Sequence, residues 1–251
     1  MKYLLIFCSP LLFLVSIACK SAKVNTDNIE KHVTPSIKPS NANTKLVSIS
    51  KGACYGSCPI YSMTVFEDGS CKFHGKRFCK KLGPFIGSIS AQELATLNQK
   101  ISVLKLSEYP DKIESLISDF PSTEITVFSD SNVKSVWWRD NEPKELSELS
   151  TFLDKFRTDM NWEFDVNAPM QPGTIENQIL VELKSGIKAT EFVNDYSDFA
   201  LKINKELTPK ENYWLFEFDN SKISGGEMLK LIYKSEKINN AEFNKELEQR
   251  H

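Results

Sequence analysis

Residues 54–66, CYGSCPIYSMTVF, contain the pattern that decides the fold of the first half of the chain. Two cysteines enclose three residues, and the run after Pro59 predicts a β-strand over residues 60–66. Glu67-Asp68-Gly69 follows at once and is a strong turn signal, so the strand should turn back as a hairpin. The fold is therefore expected to contain antiparallel strands.

Residues 45–165, around this stretch, predict one folded unit that mixes strands with helices. A strand is expected at 45–50, and His74-Gly75 predicts a second tight hairpin. Because strands and helices do not alternate strictly, the expected fold class is α+β. A capping box of Ser90 and Glu93 predicts the start of a helix, whose apolar stripe is Leu94, Leu97, Ile101 and Leu104. Strands at 124–128 and 133–138 are expected to form a further hairpin. A second helix should start at Pro143, with an apolar face of Leu146, Leu149, Leu153 and Phe156.

The chain beyond residue 165 predicts a linker, 166–175, and a second small domain, 176–251. The linker is expected because residues 167–174 combine proline, glycine and short polar side chains. The domain predicts strand, helix, strand, strand, helix, strand, the ferredoxin-like βαββαβ order with an antiparallel four-stranded sheet. Its expected elements are strands at 178–184, 201–207, 213–219 and 240–244, a helix at 188–200, and a helix opened by a capping box at Ser224 and Glu227.

The N-terminus has the parts of an export signal. Lys2 is followed by an apolar run that ends at residue 18, shorter than the roughly 20 residues of a membrane-spanning helix. Ile17-Ala18-Cys19 resembles the box at which bacterial lipoproteins are cleaved and lipidated. The resemblance implies a signal peptide over 1–18 and a lipid on Cys19; an ordinary secretory signal is the alternative. No Asp follows the cysteine, which favours the outer membrane of a Gram-negative envelope, facing the periplasm or the cell surface.

Residues 19–44 predict a flexible tether between the lipid and the first domain. They are rich in Ser, Asn, Thr, Lys and Pro and show almost no apolar periodicity. Such a composition cannot bury enough apolar surface to fold, so the segment is expected to behave as a coil.

Charge and motif content exclude several classes of function. The net charge is −2 and the isoelectric point is about 6.0, so no nucleic-acid partner is expected. The histidines are His32, His74 and His251, in a tether, a turn and the last position, where none suits a catalytic triad. No Gly-x-Ser-x-Gly elbow, phosphate-binding glycine loop or HExxH pattern occurs. We therefore expect no enzymatic activity, no cofactor and no metal.

Four cysteines in the first domain allow several interpretations. In an exported protein Cys54 and Cys58 could close a small loop, and Cys71 and Cys79 could face each other across the hairpin predicted at His74. Buried thiols are the other ordinary outcome. A zinc site from these cysteines, or from three of them with His74, stays open, as does a Cys54 nucleophile with His74 as its base.

The opening stretch and the residues after it resemble a known family. Cys54-Tyr55-Gly56-Ser57-Cys58-Pro59-Ile60-Tyr61, followed by Asp68-Gly69 and His74-Gly75-Lys76-Arg77, is similar to a bacterial lipoprotein domain of unknown function. The likeness covers roughly residues 46–157. It implies class and location but no chemistry, and its motif includes Cys54 and Cys58 without Cys71 and Cys79.

The second domain resembles the propeptide of subtilisin-like serine proteases. The likeness rests on the order and spacing of QILVELK at 178–184, LTPKENYWLFEFD at 207–219 and INNAEFN at 238–244. In that family the domain assists protease folding and blocks the active site, with its open sheet face on the enzyme and its C-terminal tail in the substrate cleft. The printed sequence ends without a protease domain, so we expect action in trans on a subtilisin-like protease. The resemblance implies an inhibitory tail of Glu248, Gln249, Arg250 and His251.

Two helices can cover only one face of the predicted four-stranded sheet. The other face would show Leu180 from the first strand, and Tyr213 and Leu215 from the third. An apolar centre with a polar rim is typical of a protein interface. The alternative is that this face packs against the first domain. The rim residues are Gln178, Glu182, Lys202, Glu217 and Glu242.

Two hypotheses of function follow. The first is a non-enzymatic, membrane-anchored lipoprotein whose second domain binds a protein partner, as a protease inhibitor or folding helper. The alternative is a structural or ligand-binding envelope lipoprotein with a reused propeptide-like module and no protease target. Trp137 and Trp138 could mark a ligand patch, but neighbours on a strand point to opposite faces, so at least one should lie in the core.

Overall fold

The computed structural model describes residues 44–129 and 132–246, and all of them lie within one compact unit. They form a mixture of helices and antiparallel sheets, one of seven strands and one of four, so the α+β prediction is confirmed. Within these ranges no helix is long and apolar enough to cross a membrane. The predicted signal peptide, Cys19, the tether up to residue 43 and the tail from Glu248 to His251 lie outside the described residues.

The first sheet is built from seven strands and carries two helices. In sheet order the strands run β6-β5-β1-β2-β3-β4-β7, and every neighbouring pair is antiparallel. The elements are β1 (Lys45–Lys51), β2 (Ile60–Phe66), β3 (Ser70–Arg77), β4 (Gly83–Ser88), α1 (Ala91–Ser102), β5 (Thr123–Ser129), β6 (Asn132–Trp138), α2 (Lys144–Asp159) and β7 (Glu163–Phe164).

The predicted hairpin after residue 66 is confirmed. Tyr61, Met63 and Val65 alternate along β2 and are almost fully buried, because successive side chains of a strand point to opposite faces. Gly69 turns the chain with φ +82°, and its N–H donates to the carbonyl of Phe66 over 3.0 Å. The strand of the opening stretch thus lies at the centre of the larger sheet.

Both predicted helices of the first domain are confirmed. Ser90 Oγ accepts from the Glu93 N–H over 3.2 Å and the Glu93 carboxylate accepts from the Ser90 N–H over 2.7 Å, which is a complete capping box. Pro143 is the N-cap residue of α2. The predicted apolar faces are buried at Leu97 and at Leu146, Leu149, Leu153 and Phe156.

The hairpin predicted at His74-Gly75 is wrong. Residues 70–77 form one continuous strand, β3, and the chain turns only afterwards, through Phe78 at φ +55° and Gly83 at φ +95°. Gly75 is needed for a close approach and not for a turn, because a Cβ there would lie 1.9 Å from the carbonyl oxygen of Lys81. The hairpin was predicted wrongly because short-range sequence does not distinguish a glycine within a strand from a glycine in a turn.

The second sheet has four strands in the order β11-β8-β10-β9, all antiparallel to their neighbours. The second strand in the sequence, β9, is therefore an edge strand, and the first, β8, is central. The elements are β8 (Thr174–Leu183), α3 (Ala189–Asn194), β9 (Lys202–Thr208), β10 (Tyr213–Glu217), α4 (Gly225–Ile232) and β11 (Ile238–Lys245).

The second sheet departs from its predicted elements in two places. The helix predicted over 188–200 is shorter: α3 ends at Asn194, a separate 3-10 turn covers Ser197–Phe199, and Ala200 then adopts φ +53°. Strand β8 begins at Thr174, inside the predicted linker. The capping box of α4 is confirmed, since Ser224 and Glu227 exchange both hydrogen bonds.

Helix α4 and strand β11 contact the β4–β7 edge of the larger sheet. The ring of Tyr233, just after α4, packs edge-on against Phe85 with 4.9 Å between centroids. The Asn240 side chain donates to the carbonyl of Cys79 over 2.9 Å, and Lys230 forms an ion pair with Glu163. These contacts place the β3–β4 turn beside β11, which creates the surroundings of the site described next.

Candidate functional site

The predicted partner-binding residues lie together on one face of the four-stranded sheet. Leu215 pairs directly with Leu180 across β10 and β8, and Tyr213 pairs with Glu182 in the next row. Glu242 on β11 lies opposite Leu180 on its other side. Because directly opposite residues share a face, these side chains form one surface, which we call the open face: Leu180, Glu182, Tyr213, Leu215, Glu217 and Glu242.

The helices cover the opposite side of the same sheet. Ile179, Val181 and Phe216 alternate with the open-face residues and have no more than 1% exposure. The ring of Phe192 on α3 packs on Phe216 with 5.2 Å between centroids. In contrast Leu180, Tyr213 and Leu215 stay half-buried and lie outside the buried core of the described residues.

The rim of the open face is polar and mostly paired. Glu217 bonds Lys202 over 3.2 Å and accepts from Asn204 over 3.1 Å, and the hydrogen bond from Lys202 is the main reason that the pKa of Glu217 is lowered. Glu182 accepts from Asn239 over 2.9 Å. The acidic groups are therefore held in place and present a negative border around the leucines.

Glu242 is the least solvated carboxyl group of the open face. Its burial raises its pKa above the usual value, although the Tyr213 hydroxyl donates to it over 3.3 Å and Lys245 lies near. Burial also raises the pKa of Tyr213, and the neighbouring Glu242 adds to the effect. Glu242 additionally lines a second feature of the molecule, a cleft on the far side of β11.

This cleft, of about 790 Å³, lies between β3, the segment 165–172 and β11. We use the name "cleft" for the space lined by the polar residues Lys72, His74, Lys76, Gln171, Glu242 and Lys245 and by the apolar residues Pro84, Phe164, Val166, Met170, Leu229 and Phe243. The sequence predictions missed it, although the alternation Lys72-His74-Lys76 is a signal for a polar strand face.

His74 is one of the polar residues that line the cleft. The Gln171 amide lies 3.1 Å from His74 Nε2, and the same side chain accepts a hydrogen bond from Lys245. Burial lowers the pKa of His74, and the positive charges of Lys76 and Lys245 lower it further. The imidazole is thus a neutral group among cations and lies in mid-strand, where the prediction had placed it in a turn.

The four cysteines within the described residues divide into one disulfide and two thiols. Cys54 and Cys58 are bonded, with 5.8 Å between their Cα atoms, which confirms the pair of the opening motif. The proposed pairing of Cys71 with Cys79 is wrong, because both thiols are free. Cys79 lies beside Gly75, about 13 Å along β3 from Cys71, and a disulfide needs Cα atoms within roughly 7 Å. Both are free and buried, and burial raises the pKa of Cys71 to about 12.

The disulfide also bears on the zinc and nucleophile alternatives. It uses two of the four cysteines that the zinc site required, and it takes the Cys54 thiol out of nucleophilic chemistry. Within residues 44–129 and 132–246, no group of three or more His, Cys, Asp or Glu side chains is arranged to hold a metal ion.

The tryptophan pair divides as the alternation predicts. Trp138 is buried, with 3% exposure, and Trp137 is half-buried on the other face of β6. Lys112 and Arg139 both approach the ring of Trp137, each about 5.5 Å from its centroid. These two cationic side chains therefore lie near the aromatic ring that a ligand of the predicted tryptophan patch would have to contact.

Residues 45–157 match the protein family described as "Domain of unknown function (DUF6438)". The match runs from β1 to near the end of α2 and includes the disulfide motif, so the domain of unknown function expected over about 46–157 is confirmed. It leaves out β7 and the whole four-stranded sheet. No curated protein matches the chain significantly.

Proposed function

We propose that this protein is a non-enzymatic, lipid-anchored envelope protein that binds a protein partner through the open face. The observation that carries the proposal is the pair Leu180–Leu215 with Tyr213, half-exposed in the middle of a sheet whose other face is covered by helices. Apolar groups at the centre of a surface with a polar border are typical of protein interfaces.

The charges of the open face select the chemistry of the partner. Glu182, Glu217 and Glu242 border the leucines, and Lys202 is the cation paired with one of them. A partner with an apolar centre and basic border residues would complement this surface, and opposite charges mainly supply specificity and association rate. The partner surface would also have to be broad and rather flat, because a four-stranded sheet offers no deep pocket on this face.

A subtilisin-like serine protease is the partner that we favour. The strand order β11-β8-β10-β9 with α3 and α4 on one side supports a ferredoxin-like domain over 176–251 of the kind that the propeptide resemblance implies. In this proposal the open face contacts the enzyme, and the tail of Glu248, Gln249, Arg250 and His251 enters the substrate cleft. Protease inhibition or assisted folding would then follow from one contact surface.

The anchor is the second part of the proposal. A lipid on Cys19 and the tether to residue 44 would hold the folded unit near an envelope membrane, with the domain boundary at 166–175. Mass spectrometry of the N-terminal peptide of the protein purified from membranes tests this part. A peptide that begins at Cys19 and carries a diacylglycerol is expected, and an unmodified cysteine would contradict it.

The partner surface is tested by inhibition of a subtilisin-like protease with the full chain. Leu215→Glu places a charge at the centre of the open face, and Leu116→Glu, at a leucine exposed by 104%, is the matched control. We expect wild type and Leu116→Glu to inhibit equally and Leu215→Glu to lose at least about tenfold in affinity, since a buried unpaired charge costs several kcal/mol. Thermal melting verifies that each variant is folded.

Two outcomes would overturn the protease proposal. One is the absence of inhibition by the folded wild-type protein, and the other is equal inhibition by Leu215→Glu and wild type. The structural or ligand-binding alternative would then be preferred, and the cleft is the observation that favours it.

A further inference from the structure

Three lysines that line the cleft have no carboxylate partner among the residues that the structure describes. In the part of the chain that the structure describes, no Asp or Glu oxygen lies within ion-pair distance of Lys72, Lys76 or Lys245. Many other lysines of the protein do have such partners. A group of uncompensated cations in a concave site attracts anions, because the low-dielectric walls concentrate the field.

The acidic groups that line the cleft are already engaged. Glu242 accepts from the Tyr213 hydroxyl, and Asp165 accepts from the N–H of Asn167 over 3.1 Å. They reduce the positive potential, but neither forms an ion pair with the three lysines. The cleft therefore retains donors that a ligand can use: the lysine ammonium groups and, in one tautomer, an imidazole N–H.

Apolar side chains line the same cleft. Met170 and Val166 keep 40% and 36% of their surface in solvent, and the rings of Phe164 and Phe243, which also line the cleft, have centroids 6.5 Å apart. A cleft that offers both apolar surface and unpaired cations matches an amphiphilic ligand, because such a molecule has an apolar body and a charged head.

The wall formed by residues 165–172 is attached to the larger sheet at both ends. The Asp165 N–H donates to the carbonyl of Pro84 over 3.0 Å at one end, and Gln171 bonds His74 at the other. On the far side the Glu246 N–H donates to the carbonyl of Gly173 over 2.8 Å. A wall fixed in this way is preformed, so little ordering entropy opposes ligand binding.

We propose that the cleft binds a small amphiphilic anion, with a carboxylate or phosphate head between Lys76 and Lys245 and an alkyl or aromatic body against Met170 and Phe164. The lysines bond the head by charge-assisted hydrogen bonds, and His74 and Gln171 orient it. The site shares Glu242 with the open face, but its lysines lie outside that face and the proposal does not depend on the protein partner. Free fatty acids and the phosphate heads of lipids share this chemistry.

The test uses fluorescence of anilinonaphthalene sulfonate, itself an aromatic anion, with the full chain. The bound probe is then displaced by laurate, dodecyl phosphate, dodecylammonium, dodecanol and inorganic phosphate. We expect saturable binding, with both anionic amphiphiles at least about tenfold better competitors than dodecylammonium, which corresponds to about 1.4 kcal/mol. Inorganic phosphate alone should compete weakly, because it lacks the apolar body. The ratio of laurate to dodecyl phosphate identifies the preferred head.

Variants locate the binding site. The double variant Lys76→Gln/Lys245→Gln should weaken laurate by about tenfold or more, whereas Lys155→Gln, on the exposed side of α2, is the matched control and should bind like wild type. Leu215→Glu should also bind laurate normally, so failure of the protein-partner proposal and failure of this one are separable.

The proposal is overturned by any of three results. These are the absence of saturable binding, equal competition by dodecylammonium and laurate, and unchanged laurate affinity in the folded double variant.

Discussion

The hydroxyl of Tyr61 donates a 2.6 Å hydrogen bond to Asp154, which joins the central strand β2 to helix α2. Burial alone would raise the pKa of Asp154, but hydrogen bonds from Arg157 and Tyr61 hold it below the usual value. Arg157 Nε lies 3.0 Å from the same carboxylate. This network belongs to the DUF6438-matching region and connects its sheet to its longest helix.

Tyr61→Phe should destabilise the protein measurably. The tyrosine is 1% exposed, so the variant removes only the hydroxyl and leaves a half-buried carboxylate with one partner fewer. Hydrogen bonds to charged groups contribute about 1.5–3 kcal/mol, and we expect a loss of that size in urea unfolding. Tyr55→Phe, at a side chain with 90% exposure, is the control and should change stability by less than about 0.5 kcal/mol. Equal stability of the two variants would contradict the role of the hydroxyl.

Tyr233→Phe should loosen the contact between the two sheets. The Leu82 N–H donates to the Tyr233 hydroxyl over 3.0 Å, and the phenylalanine variant would leave this amide without its acceptor while keeping the ring packing on Phe85. We expect a loss of about 1–3 kcal/mol and faster hydrogen exchange at Leu82. The amide of Gly69, bonded to Phe66 in a remote turn, is the internal reference and should exchange at its wild-type rate. Unchanged exchange at Leu82 would refute the coupling.

The free thiols of Cys71 and Cys79 should resist alkylation in the native protein. Cys71 and Cys79 are buried, and burial raises the pKa of both, so the reactive thiolate is scarce near pH 8. Iodoacetamide labelling followed by peptide mapping should modify both only after denaturation. Without reductant, the peptide with Cys54 and Cys58 should stay unlabelled and appear as a disulfide. Rapid labelling of Cys71 in the native protein would contradict this prediction, because it would show that the thiol is accessible to the reagent.

Glu242 on the open face should make the free energy of unfolding depend on pH. Burial raises the pKa of Glu242 above the reference value of 4.5, so the folded state holds this proton more tightly than the unfolded chain. The group therefore stabilises the fold only while protonated, and its contribution is lost as pH rises from 4.5 through the raised folded pKa. Glu242→Gln should be more stable than wild type near neutral pH and should show less decline between pH 4.5 and 7.5 in urea unfolding. Glu182→Gln controls for the loss of one carboxylate from the same face.

Local sequence patterns were sufficient to predict an element wherever its signal lies within that element's own residues. The turn at Gly69, the capping boxes at Ser90 and Ser224 and the apolar faces of α1 and α2 follow from short-range chemistry, so they could be predicted. The likeness to a domain of unknown function was also carried by a local motif around Cys54 and Cys58. These features need only neighbours within a few residues.

The errors share a different physical origin. Gly75 resembles a turn glycine because the reason for its missing side chain is the carbonyl of Lys81, which tertiary structure brings to it. Strands β4 and β7 were missed because they are short and their stability comes from pairing with β3 and with each other. Helix α3 ends at Asn194, and the chain then leaves helical geometry at Tyr196, with φ −124°, before the 3-10 turn and the left-handed Ala200.

The same division applies to the candidate sites. Alternation along 178–184 and 213–217 was enough to place Leu180, Tyr213 and Leu215 on one face, because a strand directs every second side chain to the same side. The cleft depended on the approach of β11 and residues 165–172 to β3, which brings His74, Gln171 and Lys245 together from positions up to 171 residues apart. By itself the sequence determined the strands that carry their own alternation, the helix caps and the motif of Cys54 and Cys58. Only the tertiary structure decided which distant side chains meet, because that depends on packing between elements and not on the propensity of any one of them.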